Sequence, residues 1–283
     1  MLVVTQPDRP SGRGMRLAAT PVKRAAEALG LEVYAPERLR DATERLAGAR
    51  ADVFAVASYG KIVPAAILEL PRLGALNVHP SLLPRYRGAT PLQAQLRDGV
   101  RSGGVTIILM DAGMDTGDIV LQEASDIGAL ETYGELHDRF ARLGGEMLAR
   151  AIAHVRAGTL RRVPQAGLAS PQAIAETLTR ALSKEDLVVD WNWRALRIAN
   201  HVRSLSPLPA ARAELGGERV KLLSVVPAEG VRAEGSTAGT FAGVRGNAAL
   251  VWCGDGAVAV ERLVPPNRDA QGGALFARAR LTA

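Results

Sequence analysis

Asn77 and His79 stand two residues apart in the stretch Gly74–Pro84, G-A-L-N-V-H-P-S-L-L-P. Ala75–His79 is apolar and bounded by Gly74 and Pro80, which is the pattern of a short strand. Successive strand side chains point to opposite faces, so the carboxamide and the imidazole share one face and Val78 takes the other. An amide in that place can hydrogen-bond a carbonyl or an oxyanion, and an imidazole can move a proton near neutral pH. The same pair also fits a structural histidine with satisfied nitrogens and a turn asparagine. A second stretch, D-A-G-M-D-T-G-D at Asp111–Asp118, holds three carboxylates and two glycines. Its spacing does not give the alternating ligands and twelfth-position Glu of an EF-hand. It reads better as a tight loop that aims one carboxylate at the Asn77/His79 pair. A carboxylate there raises the basicity of an imidazole and fixes its orientation. Together the three groups suit attack by a neutral amine on a carbonyl. Ser81 as a nucleophile lacks the G-x-S-x-G elbow.

The elements around these residues alternate. Met1–Thr5 reads as a strand, and Pro21–Gly30 as a helix closed by glycine. Leu31–Tyr34 is a brief strand and Arg38–Ala49 an amphipathic helix. Asp52–Ser58 is a continuous apolar run, suited to a strand buried on both faces. Helices follow at Ala65–Glu69 and Pro91–Arg97, strands at Val105–Met110 and Ile119–Gln122, and a long helix at Thr132–Arg156. Between the first strand and helix, Gln6–Arg16 packs two prolines, two glycines and three arginines into eleven residues. That composition predicts a mobile basic loop, neither helix nor strand. Strand–helix alternation predicts a mostly parallel α/β sheet, whose ligands bind outside the carboxyl ends of the strands. Tyr59–Pro64, His79–Arg87 and Asp111–Asp118 are the three loops at those ends. Beyond Gly158–Pro171, read as linker, short strands are expected at Leu187–Asp190, Arg219–Val226, Ala249–Cys253 and Ala257–Leu263. One helix, Trp193–Leu205, interrupts them, and the whole reads as a small β-barrel. The expected organisation is a catalytic domain at 1–157, a linker at 158–178 and a β-barrel at 179–283.

Composition sets limits on function. The 283 residues are 47% apolar with mean hydropathy +0.05, and no apolar run is long enough to span a bilayer. No charged-then-apolar secretion signal opens the chain. The single cysteine, Cys253, allows neither an internal disulfide nor a zinc cluster, so the expected setting is cytoplasmic and reducing. Net charge is +6 and the basic residues are nearly all arginine. Arginine suits phosphate recognition, although a GC-rich genome yields the same bias. The charge is shared, with 14 Lys/Arg against 11 Asp/Glu from Glu176 onward and 21 against 18 before it.

N-V-H-P-S-L-L-P-R-Y-R-G-A-T-P (Asn77–Pro91) with D-x-G-x-D-T-G-D (Asp111–Asp118) closely resembles the folate-dependent formyltransferase family. T-Q-P-D-R-P-x-G-R-G (Thr5–Gly14) and L-S-K-E-D-x-x-x-D-W (Leu182–Trp191) resemble the branch that acts on aminoacylated initiator tRNA. The resemblance implies transfer of a formyl group from 10-formyltetrahydrofolate to the α-amine of methionyl initiator tRNA, without a metal. It implies a Rossmann-like sheet followed by an OB-like β-barrel, and a monomer. It makes Asn77, His79 and Asp115 the catalytic set. It assigns Ser81, Leu82, Leu83 and Pro84 to folate contact, and Tyr59, Gly60, Ile62 and Asp111 to the walls of the pterin slot. Arg9, Arg13, Arg16, Arg161, Arg162 and Lys184 become the expected contacts to tRNA. The chain departs from the pattern at Pro80, where the family has Gly. Family members also open with a strand, a G-T-P turn and a helix ahead of the segment matching Leu2–Gln6. The expectation is a start placed too late, at Met1; the alternative is a chain that is truly this short, in which an apolar sheet edge would be unpaired. The rival enzymatic readings are formyl transfer to a sugar amine or a purine precursor, and hydrolysis of the formyl donor. An RNA-binding protein with an inactive α/β domain is the rival outside enzymology.

Overall fold

The computed structural model describes residues 1–11, 15–229 and 233–281. In chain order the strands and helices are β1 (Leu2–Val4), β2 (Arg9–Ser11), β3 (Arg16–Ala18), α1 (Pro21–Ala28), β4 (Glu32–Tyr34), α2 (Thr43–Gly48), β5 (Phe54–Ala57) and α3 (Ala65–Leu68). Then come β6 (Ala75–His79), α4 (Pro91–Arg97), β7 (Ser102–Leu109), β8 (Asp118–Asp126), α5 (Tyr133–Ala157) and α6 (Pro171–Glu176). The rest is α7 (Ala195–Leu205), β9 (Ala211–Leu215), β10 (Glu218–Ala228), β11 (Phe241–Arg245), β12 (Ala248–Cys253), β13 (Gly256–Val264), β14 (Gln271–Gly272) and α8 (Gly273–Leu281). The chain forms two compact units. The first gathers Met1–His79, Thr106–Gln122 and Gly144–Ala169; the second gathers Pro80–Val105, Glu123–Leu143 and Ser170–Ala283.

The first unit is α/β. β1 and β4 pair in parallel, and so do β5 and β6 within a sheet ordered β5-β6-β7-β8. β6 and β7 are antiparallel. Leu39, Ala42, Leu46 and Ile67 form a buried cluster against Leu2, Val4, Tyr34 and Phe54, which joins the sheet faces to α2 and α3. Each large apolar side chain buried in this way contributes about 1.5–3 kcal/mol. Thr20 caps α1 by accepting from the Lys23 amide, with Pro21 at the first helical position.

Three expectations for this unit are corrected. Gln6–Arg16 is not a bare loop, because β2 and β3 pair antiparallel with Pro10 opposite Leu17. A two-stranded ribbon has only edges, and an edge strand tolerates a proline. Arg38–Ala49 is not one helix but a 3-10 turn, Leu39–Ala42, followed by α2. Arg38 grips Asp41 and the Thr43 hydroxyl donates to the Arg40 carbonyl, local bonds that compete with a continuous helix. β5 alternates half-buried and exposed residues instead of being covered on both faces, as befits the end strand of its sheet.

The second unit is β-rich. Its sheet runs β11-β12-β13-β10-β9, with β14 paired to β13 and every pairing antiparallel. β9 shows the one-sided pattern plainly: Ala211, Ala213 and Leu215 are buried while Arg212 and Glu214 are exposed. Ile198, Val202 and Leu205 of α7, at helical spacing, close the core with Trp191, Leu222, Val260 and Phe276. Of the expected strand at Leu187–Asp190, Leu187 ends a 3-10 turn, Glu185–Leu187, while Val188 makes a single bridge to Arg212 and the Val189 amide donates to the Arg212 carbonyl. The Asp186 carboxylate causes it, accepting from the Ser183 amide and hydroxyl and so tightening the chain into a turn. Within this unit the Arg203 guanidinium is buried and donates to the carbonyls of Leu96, Gly128 and Glu131. It thereby gives the Leu96 carbonyl, in the last turn of α4, a second donor beside the Gly99 amide.

His201 on α7 is 5% exposed, edge-on to Trp193, and its Nε2 has no protein partner. Burial, with help from Arg97 and Arg197 and against the pull of the Leu187 backbone and Asp186, lowers its pKa to about 4. An unfolded histidine titrates near 6.5, so between those values the unfolded chain binds more protons and folding stability rises with pH. Unfolding free energy should therefore fall as pH drops from 6.5 to 4, with His201 contributing a slope of up to about 1.4 kcal/mol per unit. Urea denaturation of the wild type and His201→Leu checks this; the variant should lose that share of the slope, and identical pH profiles would contradict it.

Candidate active site

β6 fixes the first two groups. Its backbone is held on both sides, with Asn77 opposite Val56 on β5 and Ile108 on β7, and His79 opposite Thr106. Ala75 and Leu76 are 1% and 0% exposed, so the strand is anchored by its apolar start. Alternation puts Asn77 and His79 on one face. Gly74 turns the chain into the strand at φ +84°, and a Cβ there would lie 2.7 Å from Leu109 Cδ1. The His79 ring is buried.

The third group comes from the β7–β8 loop. Asp111 Oδ1 accepts from the Gly113 amide at 3.0 Å and the Thr116 hydroxyl at 2.7 Å, which folds the loop on itself. Asp115 sits in the left-handed region at φ +55°. That conformation is costly for a residue with a Cβ, least so for Asp and Asn. It carries the Asp115 carboxylate to 3.5 Å from His79 Nδ1, longer than a tight hydrogen bond, and leaves its side chain 18% exposed. Gly117 is required where it stands, since a Cβ would lie 2.0 Å from the Leu109 carbonyl oxygen. Sequence reasoning passed over Gln165. Its Nε2 donates to the carbonyls of Asp115 at 2.9 Å and Gly117 at 2.7 Å, and the residue is 3% exposed. A lone glutamine in a Pro/Gly-rich stretch gives no sign of such a partner.

The remaining expected residues fall in separate places. Tyr59 follows β5, with its carbonyl accepting from Gln6 Nε2 and its ring packed beside the Leu39/Ile67 cluster. Its hydroxyl is buried without a partner, and burial raises its pKa. Gly60 has φ +76°, Ile62 is 91% exposed, and Asp111 is exposed. These four belong to the first unit with Asn77, His79 and Asp115. Ser81, Leu82, Leu83 and Pro84 belong to the second unit. Ser81 donates to the Arg85 carbonyl at 2.8 Å, and of the four only Leu82 keeps appreciable exposure. Arg9, Arg16, Arg161, Arg162 and Lys184 are all exposed; Arg9 is paired with Glu37 at 3.0 Å. Arg13 lies outside the described residues. Near Lys184, Arg180 clasps Asp186 and with Ser183 holds its carboxyl well below the usual carboxylate range. Among the described residues no group of three or more His, Cys, Asp or Glu could hold a metal ion, and no helix is long and apolar enough to cross a membrane.

The α/β unit thus carries a buried imidazole with a carboxylate 3.5 Å from its Nδ1 and a carboxamide on the same strand face. Residues 1–152 match the family Formyl transferase, and residues 181–281 match Formyl transferase, C-terminal domain. The chain belongs to the formyl transferase family. Among its relatives are the methionyl-tRNA formyltransferases of Dechloromonas aromatica, 39% identical, and of Aromatoleum aromaticum, 41% identical. These matches cover 93% and 94% of this chain, and 82% and 81% of the relatives. Among solved structures, HypX from Aquifex aeolicus in complex with tetrahydrofolic acid matches with TM-score 0.64 at 17% identity, over 92% of this chain. This chain spans only 44% of that protein. WlaRD, a sugar 3N-formyl transferase with dTDP and 5-N-formyl-THF, matches with TM-score 0.64 at 14% identity, over 95% of this chain and 98% of that one. Likenesses at this identity speak for the fold.

Two glycines give a paired test of the loop. Gly117→Ala forces a backbone clash and should cost about 1–3 kcal/mol of stability, as overpacking does. Gly145→Ala, in the middle of α5 where a Cβ meets nothing within 4 Å, should gain about 0.5–1 kcal/mol. Urea denaturation midpoints of the two variants should move in opposite directions.

Proposed function

We infer that this enzyme transfers the formyl group of 10-formyltetrahydrofolate to the α-amine of methionyl initiator tRNA, giving the formylated initiator for translation. The observation that carries the mechanism is the Asp115 carboxylate 3.5 Å from Nδ1 of a buried His79, on the strand face that also bears Asn77. With Nδ1–H donating to Asp115, Nε2 is the basic nitrogen left for the reactants. The donor supplies an activated formyl carbon and a nitrogen leaving group. Asn77 donates its amide N–H to the formyl oxygen as negative charge develops there, a contribution of about 2.7–4 kcal/mol for one such donor. His79 accepts the proton that the amine must lose once it bonds to carbon, and returns it to the departing nitrogen. Asp115 holds the ring in the tautomer that permits this. No acyl-enzyme is needed.

The donor fits the residues assigned to it. A flat heteroaromatic ring with a polar edge needs an apolar wall and hydrogen-bonding groups. Ile62 offers exposed apolar surface, and Tyr59 a buried hydroxyl with no protein partner. Gly60 and Asp111 offer exposed backbone and a carboxylate in the same unit. Ser81, Leu82, Leu83 and Pro84 are the further residues assigned to folate contact, and of these Leu82 keeps exposed apolar surface. Phosphate contacts from Arg9, Arg13, Arg16, Arg161, Arg162 and Lys184 then position the tRNA without reading its sequence. This reading goes with a monomer working in the cytoplasm beside the ribosome.

Formyl transfer to methionyl-tRNA should be lost when the donor is replaced by tetrahydrofolate without a formyl group. Asn77→Ala should lower kcat about 10²–10³-fold. His79→Ala should lower it about 10²–10⁴-fold. Both should bind tRNA as the wild type does. Undiminished turnover in both variants would end this mechanism.

A further inference from the structure

We propose that Gln165 is a positioning residue for the transfer reaction: its side-chain amide locks the backbone of the Asp115 loop and so holds the Asp115 carboxylate against His79. The inference rests on the assignment of Asn77, His79 and Asp115 to formyl transfer. It adds a residue from the segment between the two family matches, outside both of them.

The position follows from backbone pairing. Ile119 and Val163 exchange both hydrogen bonds, at 2.8 and 2.9 Å, in an antiparallel bridge. Gly117 and Gln165 lie two residues beyond that bridge on their two segments. Asp115 in the left-handed region turns its carbonyl to the same side as that of Gly117, and both accept from the one Gln165 nitrogen. A primary amide carries two N–H donors on one nitrogen, so it can satisfy both carbonyls at once. The residue is 3% exposed, so water is a poor substitute for it. The loop is then held at three places: by Asp111 on Gly113 and Thr116, by the close approach of Gly117 to Leu109, and by Gln165. The first two shape the loop on either side of Asp115; the Gln165 bond acts on the Asp115 peptide itself. Loss of that bond loosens the peptide whose torsions aim the carboxylate. A displacement of about 1 Å in a catalytic group can cost on the order of 100-fold in rate.

The choice of side chain separates this role from simple packing. Gln165→Met keeps the volume and removes both donors. Gln165→Glu keeps the shape and sets a carboxylate against two carbonyl oxygens. Gln165→Ala removes the packing as well. The full-length enzyme is assayed with 10-formyltetrahydrofolate and methionyl-tRNA, with kcat and KM separated and thermal melting followed alongside. Each substitution is made in the wild type and in Asp115→Asn. Gln165→Met and Gln165→Glu should lower kcat about 10–100-fold with KM for both substrates within about twofold. In the Asp115→Asn background the same changes should cost less than about threefold, because a residue that acts through Asp115 has nothing left to act on. An equal fold-loss in both backgrounds would make the role general packing and overturn the proposal, as would kcat within twofold of wild type for a folded Gln165→Met. If Gln165→Ala alone unfolds, the two isosteric variants still decide. Failure of the underlying reading looks different: wild type that transfers no formyl group, or Asp115→Asn as active as wild type, removes the mechanism and this inference with it.

Discussion

A carboxylate reaches the back of a buried imidazole, and the loop that delivers it passes through a disfavoured backbone conformation. That constraint at Asp115 organises the first unit. A charge taken fully out of water without a partner is prohibitively costly, so Asp115 keeps 18% of its side chain exposed while His79 is nearly closed off. The left-handed turn costs about 1–2 kcal/mol, which the loop offsets with the hydrogen bonds of Asp111, Thr116 and Gln165. Gly117 then has to be glycine because the returning chain grazes the Leu109 carbonyl. Strain at one residue is affordable only because several neighbours over-determine it.

β6 needs less elaborate support. It is paired on both sides, so Asn77 and His79 inherit their positions from sheet register. The motif that follows it is anchored within the second unit. There Thr179 donates its amide and hydroxyl to the Arg87 carbonyl, Thr90 donates its hydroxyl to Arg180, and Gly88 has room for no Cβ against the Thr179 carbonyl. The segment between the family matches thus makes specific contacts at both ends, Gln165 in one unit and Thr177–Arg180 in the other. A stretch rich in Pro and Gly can be strap as well as spacer when its backbone finds such partners.

Legibility in the sequence followed range. Asn77 and His79 were readable because a two-residue spacing on a strand fixes a common face. Three carboxylates and two glycines in eight residues marked Asp111–Asp118 as a tight loop with a carboxylate to present, and the family resemblance singled out Asp115. The α/β and β-rich halves were readable from periodicity. Where reading failed, side chains had local work that periodicity does not register. Asp41 and Thr43 broke a helix, Asp186 turned an expected strand, and Pro10 sat on a ribbon edge that composition had marked as loop. α8 was missed because its apolar residues hold no helical stripe. Gln165 was beyond reach, since its partners are backbone carbonyls some fifty residues away.

Charge is the property for which composition and structure pull hardest against each other. An arginine-rich chain of net +6 invites a phosphate surface, yet many arginines have acidic partners, among them Arg9 with Glu37, Arg72 with Asp52, Arg180 with Asp186 and Arg194 with Asp255. Pairing does not remove them from recognition. Exposed ion pairs are worth about 0–1 kcal/mol, so exchanging a carboxylate for a phosphate costs little. Arg9 and Glu37 are 61% and 72% exposed, which places that pair in this class. Arg180 differs, because the Asp186 it holds is 18% exposed and also caps a turn. An RNA that drew Arg180 away would have to break local structure as well as an ion pair. Exposed pairs are therefore the more easily exchanged for a phosphate, and entrenched ones the less.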